Sequence, residues 1–462
     1  MPELPEVETV KKILNTFIID AKISEVIVHK KGIITGDVND FKKALKGRTF
    51  KEVKRRGKYL IFTFDTDLIM LSHLRMEGKF IEVLKGGEDS RYAHVIFVLE
   101  DGRRLCYDDS RQFGKMELST KDTYLKTKSM LNVGPEPFEI NVEEYYKKVI
   151  KRKAPIKLVL LDQKLMSGLG NIYVDEVLYL SNINPLTPAN TLTKEDITLV
   201  VKESIAVLNN AIKAGGTTVR SYAPAQGVSG NFQVQLHAYG KVDERCPTCN
   251  ILFKKIFVGG RGTTFCPYCQ VNKTRPQTVA ITGQKASGKS EISKALSNDG
   301  SLVIDTDTLA KSLYNERKVV AKLEKKLGIN LNKNDKFDIQ LLKAFLKENP
   351  KAIKIVNDVI HPLVKAEIVK IIENSAAKTI YFEIPVLFSH KVNELFDYII
   401  GVEVSLTRQM QNLKARGDTL GINADQMYLK KRHKIDYIII NDGTIDELIT
   451  KFNTFKERYL LD

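Results

Sequence analysis

The sequence predicts a multidomain chain of mixed class: an α+β part followed by an α/β part with a parallel sheet. Three observations carry this. At 462 residues the chain exceeds one ordinary core, which holds roughly 100–200 residues. The region to about residue 130 reads as mostly β, and helical spacing takes over after Pro155. From Thr278 onward strand and helix signals alternate, the pattern of parallel βαβ units.

In the first region, residues 59–64, 92–99 and 103–107 are rich in β-branched and aromatic residues, with Asp101-Gly102 as a turn between the last two. After Pro155 a helix is expected over Ile156–Met166, then the turn Gly168-Leu169-Gly170-Asn171. A second helix runs through Val177 and Leu180 and stops before Pro185, and the helical region ends near Ala214. The segment VNKTRPQ (271–277) is a short polar joint. Beyond it TVAITG, LVID, TIYFEI and YIIGVEVS read as strands, with a helix from Lys289.

Hydrophobic residues are 43% and charged residues 28%, which excludes a mostly disordered chain. Apolar runs such as Leu158–Leu161 and Ile438–Ile440 fall far short of the roughly 20 residues of a membrane-spanning helix. The start MPELPEVETV carries three acids and no base, the reverse of a targeting signal, so the expected location is the cytoplasm. The net charge is +16, and residues 1–275 hold 43 Lys and Arg against 32 Asp and Glu. Such an excess points to a polyanion partner.

Four of the five cysteines form Cys246-x2-Cys249-x16-Cys266-x2-Cys269. Two thiolate pairs separated by enough chain for a hairpin present four ligands to a tetrahedral Zn²⁺, a closed site that folds the hairpin rather than catalysing. Cys106 is expected to be a buried small hydrophobe.

If Met1 is removed, Pro2 presents a secondary amine of pKa about 8. Attack on a sugar C1′ would give an iminium that serves as an electron sink for eliminations. Glu3 and Glu6 are near enough in sequence to donate or accept protons. In the last part, Gly283 to Ser290 fits G-x4-G-K-[ST] between a strand and a helix. The loop Gly283, Lys285, Ala286, Ser287 and Gly288 would cradle ATP phosphates, Lys289 would neutralise the transferring group and Ser290 would hold Mg²⁺. LVIDTDTLA (302–310) places Asp305 and Asp307 at the end of the next strand, where small-molecule kinases carry a base.

The first part resembles the formamidopyrimidine-DNA glycosylase family. The blocks that carry it, in order, are PELPEVE (2–8), RRGKYL (55–60), SHLRMEGKF (72–80), DSRQFGKM (109–116), GPEP (134–137), SGLGNIYVDE (167–176), GGTT (215–218) and GRGTTFCPYCQ (260–270). The resemblance implies an N-terminal β-sandwich, a helix-two-turn-helix domain and a zinc-ribbon hairpin. It also implies excision of oxidised purines, 8-oxoguanine and formamidopyrimidines, from double-stranded DNA, with β and δ elimination.

By the same resemblance Pro2 is the Schiff-base nucleophile and Glu3 opens the sugar. Lys58 assists β elimination and Arg261, at the hairpin tip, δ elimination. Met76, Arg111 and Phe113 fill the hole left by an extruded base. Glu6, His94, Arg152, Lys157 and Asn171 fall among the DNA-binding positions, the 168–171 turn approaches a phosphate, and 216–232 takes the place of the loop that closes over the lesion.

The last part resembles dephospho-coenzyme A kinase, through Asp305-Thr306-Asp307, Val359 to Leu363, Glu383 to Leu387, Asp436 to Ile439 and Asn441-Asp442-Gly443. This implies a P-loop α/β kinase domain that phosphorylates the ribose 3′-hydroxyl of dephospho-CoA with ATP and Mg²⁺. Asp307 matches the base, Asp305 a partner of it or of Mg²⁺, and Arg416 a lid arginine. The chain departs from the pattern at Gln284-Lys285-Ala286, where the family is glycine-rich, and at Asn412, which replaces a lid arginine. His361 is expected to cap structure before Pro362.

The expected domains are 1–130, 131–240, 241–272 and 278–462, in a monomer that fuses two enzymes. A single ATP-coupled DNA repair protein, or a glycosylase with a degenerate nucleotide-binding module, are the alternatives.

Overall fold

The computed structural model describes residues 2–217, 232–333, 336–417 and 426–460. The chain divides into two units: Met1–Gly240 with Phe257–Thr263, and Lys241–Ile256 with Thr264–Asp462.

The first unit opens with α1 (Leu4–Phe17), whose Val7, Val10 and Leu14 recur at helical spacing and are buried. Next come β1 (Ile23–Val28), β2 (Ile34–Thr35), α2 (Val38–Leu45), β3 (Phe50–Arg56), β4 (Tyr59–Phe64), β5 (Leu68–His73), β6 (Lys79–Val83), β7 (Ala93–Leu99), β8 (Arg104–Asp108) and β9 (Lys115–Thr120). They form a four-stranded sheet, β1-β7-β8-β6, and a five-stranded sheet, β2-β9-β5-β4-β3. Val26, Val95, Phe97 and Leu105 of one sheet share a core with Phe50, Phe62, Met70 and Met116 of the other. This is the sandwich that the resemblance implies. The expected 59–64 strand is β4, and the expected pair around Asp101-Gly102 is β7 and β8 in antiparallel register.

A helical region follows: α3 (Val142–Val149), α4 (Ile156–Leu160), α5 (Asn171–Leu180) and α6 (Lys194–Lys213). The helix expected over 156–166 stops at Leu160, because the Asp162 carboxylate takes the N–H of Lys164 (3.1 Å) into a local turn. α6 begins with a capping box between Thr193 and Asp196. The cysteine hairpin pairs β10 (Lys254–Val258) with β11 (Arg261–Phe265). Its turn, Gly259-Gly260, has φ of 56° and 74°, which suits glycine at both positions.

The second unit runs β12 (Gln277–Gly283), α7 (Lys289–Asn298), β13 (Leu302–Asp305), α8 (Thr306–Leu313), α9 (Arg317–Leu327), β14 (Asn332–Lys333), β15 (Lys336–Phe337), α10 (Ile339–Glu348), α11 (Ala352–Asn374), β16 (Thr379–Glu383), β17 (Tyr398–Glu403), α12 (Leu406–Ala415), α13 (Gln426–Lys431), β18 (Tyr437–Ile440) and α14 (Ile445–Tyr459). Its main sheet has the order β13-β16-β12-β17-β18, every pair parallel, as the βαβ alternation predicts. Every residue of the central β12 is buried, so the loop that follows leaves the carboxyl end of the best-covered strand, where ligands bind in such sheets. His361 does not precede a helix: with Pro362 it lies inside α11, a correction to the capping role expected of it. No described helix is long and apolar enough to cross a membrane.

Candidate active sites

In the first unit the site is built around Glu3, the N-cap of α1, next to the buried Pro2. The Glu3 carboxylate accepts from the N–H groups of Gly170 (2.5 Å) and Ile172 (2.9 Å) at the start of α5. A Cβ on Gly170 would lie 2.3 Å from Glu3 Cδ, and one on Gly168 would lie 2.5 Å from Leu4 Cδ1. The glycines of the 168–171 turn therefore admit the amino terminus. At the positive end of α5 an in-chain carboxylate, Glu3, takes these N–H groups.

Burial pushes the Glu3 carboxyl up from 4.5 to about 7, with Lys58 opposing and Glu6 adding to the rise. Lys58, also buried, donates to Leu169 O (2.7 Å). Burial holds its ammonium below the ordinary range, against the pull of Glu3. Its position is fixed from the turn before it. Arg55 donates to both carboxylate oxygens of Glu136 (2.5 and 3.0 Å), and Gly57 N–H donates to the same group (2.7 Å). This clamp ties the RRGK segment to GPEP.

Glu6, expected among the DNA contacts, is buried and fully engaged by its own chain. It accepts from Glu3 N (2.9 Å), the Tyr173 hydroxyl (2.6 Å) and Thr217 N (2.9 Å). Lys157 is corrected likewise: its side chain has 0% exposure, and its ammonium donates to the equally buried Asp175 (2.6 Å) and toward Gly262 O (3.4 Å). It has no surface to offer a phosphate and instead ties α4 to α5 and the hairpin tip. Asn171 also donates to Gly262 O (2.9 Å), so the tip carrying exposed Arg261 is fastened to the start of α5. Arg152 is exposed.

The expected void fillers stand out of the core: Met76 is 37% and Phe113 51% exposed, and the Arg111 guanidinium lies 5.1 Å over the Phe113 ring. Neighbouring Arg75 and Gln112 hold φ of 56° and 59°, costly for side-chain-bearing residues. What stabilises the second loop is Asp109, the first residue of the DSRQFGKM block. Fully buried, it accepts from the N–H groups of Arg111 (3.1 Å), Phe113 (2.9 Å) and Gly114 (2.8 Å). Half-buried His94 donates to Asp109 O (2.9 Å). The Tyr107 hydroxyl lies where a Cβ of Gly78 or Gly114 would be, at 2.1 and 1.7 Å, so both loops close on one ring.

A cavity of about 370 Å³ opens beside Lys58, lined by Tyr59, His73, Arg75, Lys128 and Gln163 among others. Burial, with the nearby charges of Arg75 and Lys58, pushes His73 down to about 3, so its ring is neutral. Of the segment 216–232, residues 218–231 lie outside the described residues.

The four zinc-pattern cysteines converge, their sulfurs all within 4.8 Å of one another, with Cys246 to Cys269 at 3.8 Å and Cys249 to Cys266 at 3.4 Å. Zn–S bonds of about 2.3 Å in a tetrahedron require sulfurs about 3.8 Å apart, so the set fits Zn²⁺. Cys106 is buried beside Asp89 and its thiol is pushed up to about 12 by burial.

In the second unit Gly283 has φ 146°, and a Cβ there would lie 2.1 Å from Val402 O, so the P-loop begins pressed on β17. Lys289 folds back onto the carbonyls of Gly283 (3.2 Å) and Gln284 (2.7 Å). Ser290 donates to Glu383 Oε1 (2.8 Å), which makes Glu383, at the end of β16, the acid placed for the ion that Ser290 would share. Asp305 caps α8, its two oxygens accepting from Asp307 N (2.9 Å) and the Thr308 hydroxyl (2.7 Å).

Asp307, raised by burial and by Asp305, lines a cavity of about 80 Å³ with Thr306, His361 and Ser389. Asn412, in the place of a lid arginine, donates to Ala286 O (3.0 Å), and Gln409 to Lys285 O (2.9 Å). Arg416 ends α12 and is exposed, and 418–425 lie outside the described residues.

Ala286 holds φ 57° where glycine would be unstrained. Ala286→Gly is therefore expected to stabilise the second unit by about 0.5 kcal/mol, the relief of the left-handed conformation exceeding the entropy cost of glycine. Calorimetry of the full chain checks this by a midpoint that rises.

Pro2 beside a buried acid raised to about 7, with Met76 and Phe113 standing out of the core, is an arrangement that suits an imine-forming DNA repair enzyme. The second unit has a P-loop, and Asp307 lines a cavity, an arrangement that suits a small-molecule kinase. The family model of the formamidopyrimidine-DNA glycosylase N-terminal domain matches residues 1–116 and that of its H2TH domain residues 133–223. The dephospho-CoA kinase model matches residues 277–447. The formamidopyrimidine-DNA glycosylase of Ligilactobacillus salivarius is 45% identical over 276 residues, covering 59% of this chain and 100% of the relative. That of Streptococcus pneumoniae is 44% identical over 275 residues, covering 58% and 99%. The crystal structure of wild-type Lactococcus lactis Fpg with DNA containing N7-benzyl-Fapy-dG is 39% identical, with a TM-score of 0.56 over 59% of this chain and 100% of that one. The chain belongs to the formamidopyrimidine-DNA glycosylase family through its first three-fifths and carries a dephospho-CoA kinase domain after it.

Proposed function

We propose that the first part excises oxidised purines from double-stranded DNA and cleaves the strand, and that the last part phosphorylates the ribose 3′-hydroxyl of dephospho-CoA. The observation that carries the first reading is the environment of Glu3: a buried carboxyl near pKa 7, adjoining the only residue whose amine becomes terminal when Met1 is removed. The freed Pro2 nitrogen attacks C1′ as the C1′ to ring-oxygen bond breaks, and the base then departs with the amine's proton, leaving a cationic iminium. Protonated Glu3 gives its proton to the ring oxygen as the sugar opens, and the iminium withdraws electrons from the C2′–H bond, so that its proton can be lost to a base in β elimination. Lys58, held below its ordinary range, is placed to take that proton, and Arg261 to serve the δ step.

In the second part Asp307 receives the hydroxyl proton and Lys289 neutralises the transferring phosphoryl group, and Ser290 with Glu383 would hold Mg²⁺, which would add positive charge there. The segments 1–130, 131–240, 241–272 and 278–462 take these roles in turn, in a cytoplasmic monomer. Borohydride trapping on an 8-oxoguanine duplex tests the first activity. ADP release with dephospho-CoA or with DNA tests the second, and turnover driven by DNA alone would overturn two joined enzymes.

The Asp109 contacts give a further expectation. Asp109→Asn turns an NH₂ toward one or more N–H groups in a fully buried place, a cost of about 1–3 kcal/mol. Base release from duplex DNA should fall by tenfold or more, while cleavage of a single-stranded abasic substrate, which needs no void filled, stays within twofold. Equal losses on both substrates would assign Asp109 to the fold at large rather than to the loop.

A further inference from the structure

All the contacts that follow lie inside the second unit, where the base of the cysteine hairpin meets the kinase sheet at Asp436. Its side chain has 0% exposure and collects three donors. Two come from the cysteine segment, the N–H of Leu252 (3.1 Å) and the ammonium of Lys254 (2.6 Å); the third is the N–H of Ile399 in β17 (2.7 Å). The Asp436 carbonyl accepts from Arg245 (3.1 Å), the residue before Cys246. Nearby, Lys434 pairs with Asp243 (2.7 Å), and the Tyr459 ring meets Tyr268, between Cys266 and Cys269, edge-on at 5.5 Å.

From Asp436 the four residues of β18 lead to Asn441, about 16 Å away at about 3.3 Å per residue. Asn441 donates through its side chain to Ser287 O in the P-loop (2.7 Å) and through its N–H to Glu403 O (2.7 Å). A Cβ on Gly288 would lie 2.5 Å from the Asn441 amide nitrogen. One short strand thus has the zinc-binding segment at one end and the nucleotide loop at the other.

We propose that the four-cysteine zinc site is a structural element of the kinase as well as of the DNA-binding hairpin, with Asp436 as the positioning residue that joins them. A cysteine segment this short cannot bury enough apolar surface to hold its shape without metal. When it loosens, Leu252 and Lys254 withdraw and the buried Asp436 carboxylate keeps a single donor, a state that favours opening of the sheet edge at β18. That releases Asn441 from the P-loop. Zinc loss then disables both halves of the chain, and the kinase needs residues 241–256 in addition to its own matched segment. The inference rests on the kinase reading for its functional consequence and on none of it for its structural one.

The test is hydrogen exchange on the full chain without nucleotide, zinc-loaded and after stripping with 1,10-phenanthroline, with metal analysis of both samples. Amides of Ile399 and of 436–440 are expected to exchange at least about tenfold faster without zinc, while β4 and β5 of the first unit change less than twofold. Unchanged exchange at 436–440 in protein shown to lack zinc would overturn the proposal. Lys254→Met, which leaves every zinc ligand in place, is expected to speed the same amides severalfold, and stripping zinc from it should then add less than in the parent chain. A Lys254→Met protein that exchanges like the parent would equally overturn it. Because exchange reads no turnover, a chain that fails to phosphorylate dephospho-CoA contradicts the kinase reading alone. In a chain that does phosphorylate it, the KM for ATP should rise at least fivefold on zinc removal.

Discussion

Glu3→Gln is expected to slow base release by about 10²–10⁴-fold, the range a positioned general acid contributes, and to make the protein more stable above neutral pH. The two effects have one origin. Burial raises the Glu3 carboxyl from 4.5 to about 7. A folded-state pKa above the unfolded one gives stability that is fully present below pH 4.5 and is lost as pH rises through 7. For this rise the loss is roughly 3 kcal/mol. Glutamine never ionises, so the variant escapes that loss, although its NH₂ faces one of the N–H donors of α5 and returns part of the gain. Denaturant titrations at pH 5 and pH 8 should show the variant gaining on the parent chain as pH rises.

The parent's own pH profile follows from the same group. The acid form of Glu3 is needed, which favours pH below about 7, and the neutral form of the Pro2 amine is needed, which favours pH above about 8. The active combination is therefore most abundant between these values, and single-turnover base release should trace a bell with its top there. A rate that keeps rising to pH 9 would remove Glu3 from the acid role.

Lys289→Ala is expected to lower phosphoryl transfer to dephospho-CoA by about 10³-fold, because a preorganised charge at the transferring group is lost in a place water does not readily replace. The lysine lies against the loop carbonyls of Gly283 and Gln284, from which it would turn to meet a bound phosphate. Its removal leaves carbonyls at a partly exposed position, so the fold should lose no more than about 1 kcal/mol. Borohydride trapping on damaged duplex should be unchanged. Loss of trapping in this variant would show that the DNA chemistry depends on ATP, and would restore the reading of one ATP-coupled repair protein.

Much of this protein was legible residue by residue. The proline-glutamate start, the cysteine spacing, the P-loop and the strand alternation after Thr278 each encode a local geometry, and local geometry follows from backbone period and chelate-loop length. The misreadings share a different cause. Lys157 and Glu6 are ordinary charged residues in sequence, and nothing nearby announces that Asp175 and Tyr173 wait for them in the interior. Asp109 and Glu383 lie within segments that carry the family resemblances, yet their contacts depend on which N–H groups and which hydroxyl the fold turns toward them.

The sequence by itself thus determined the chemistry available: a nucleophile, an acid, four thiols and a phosphate loop. Only the tertiary structure decided what each charge faces. Glu3 meets Gly170 across 167 residues and Lys254 meets Asp436 across 182. Such pairs are selected by close packing and by the high cost of an unpartnered buried charge, neither of which leaves a periodic mark on the chain.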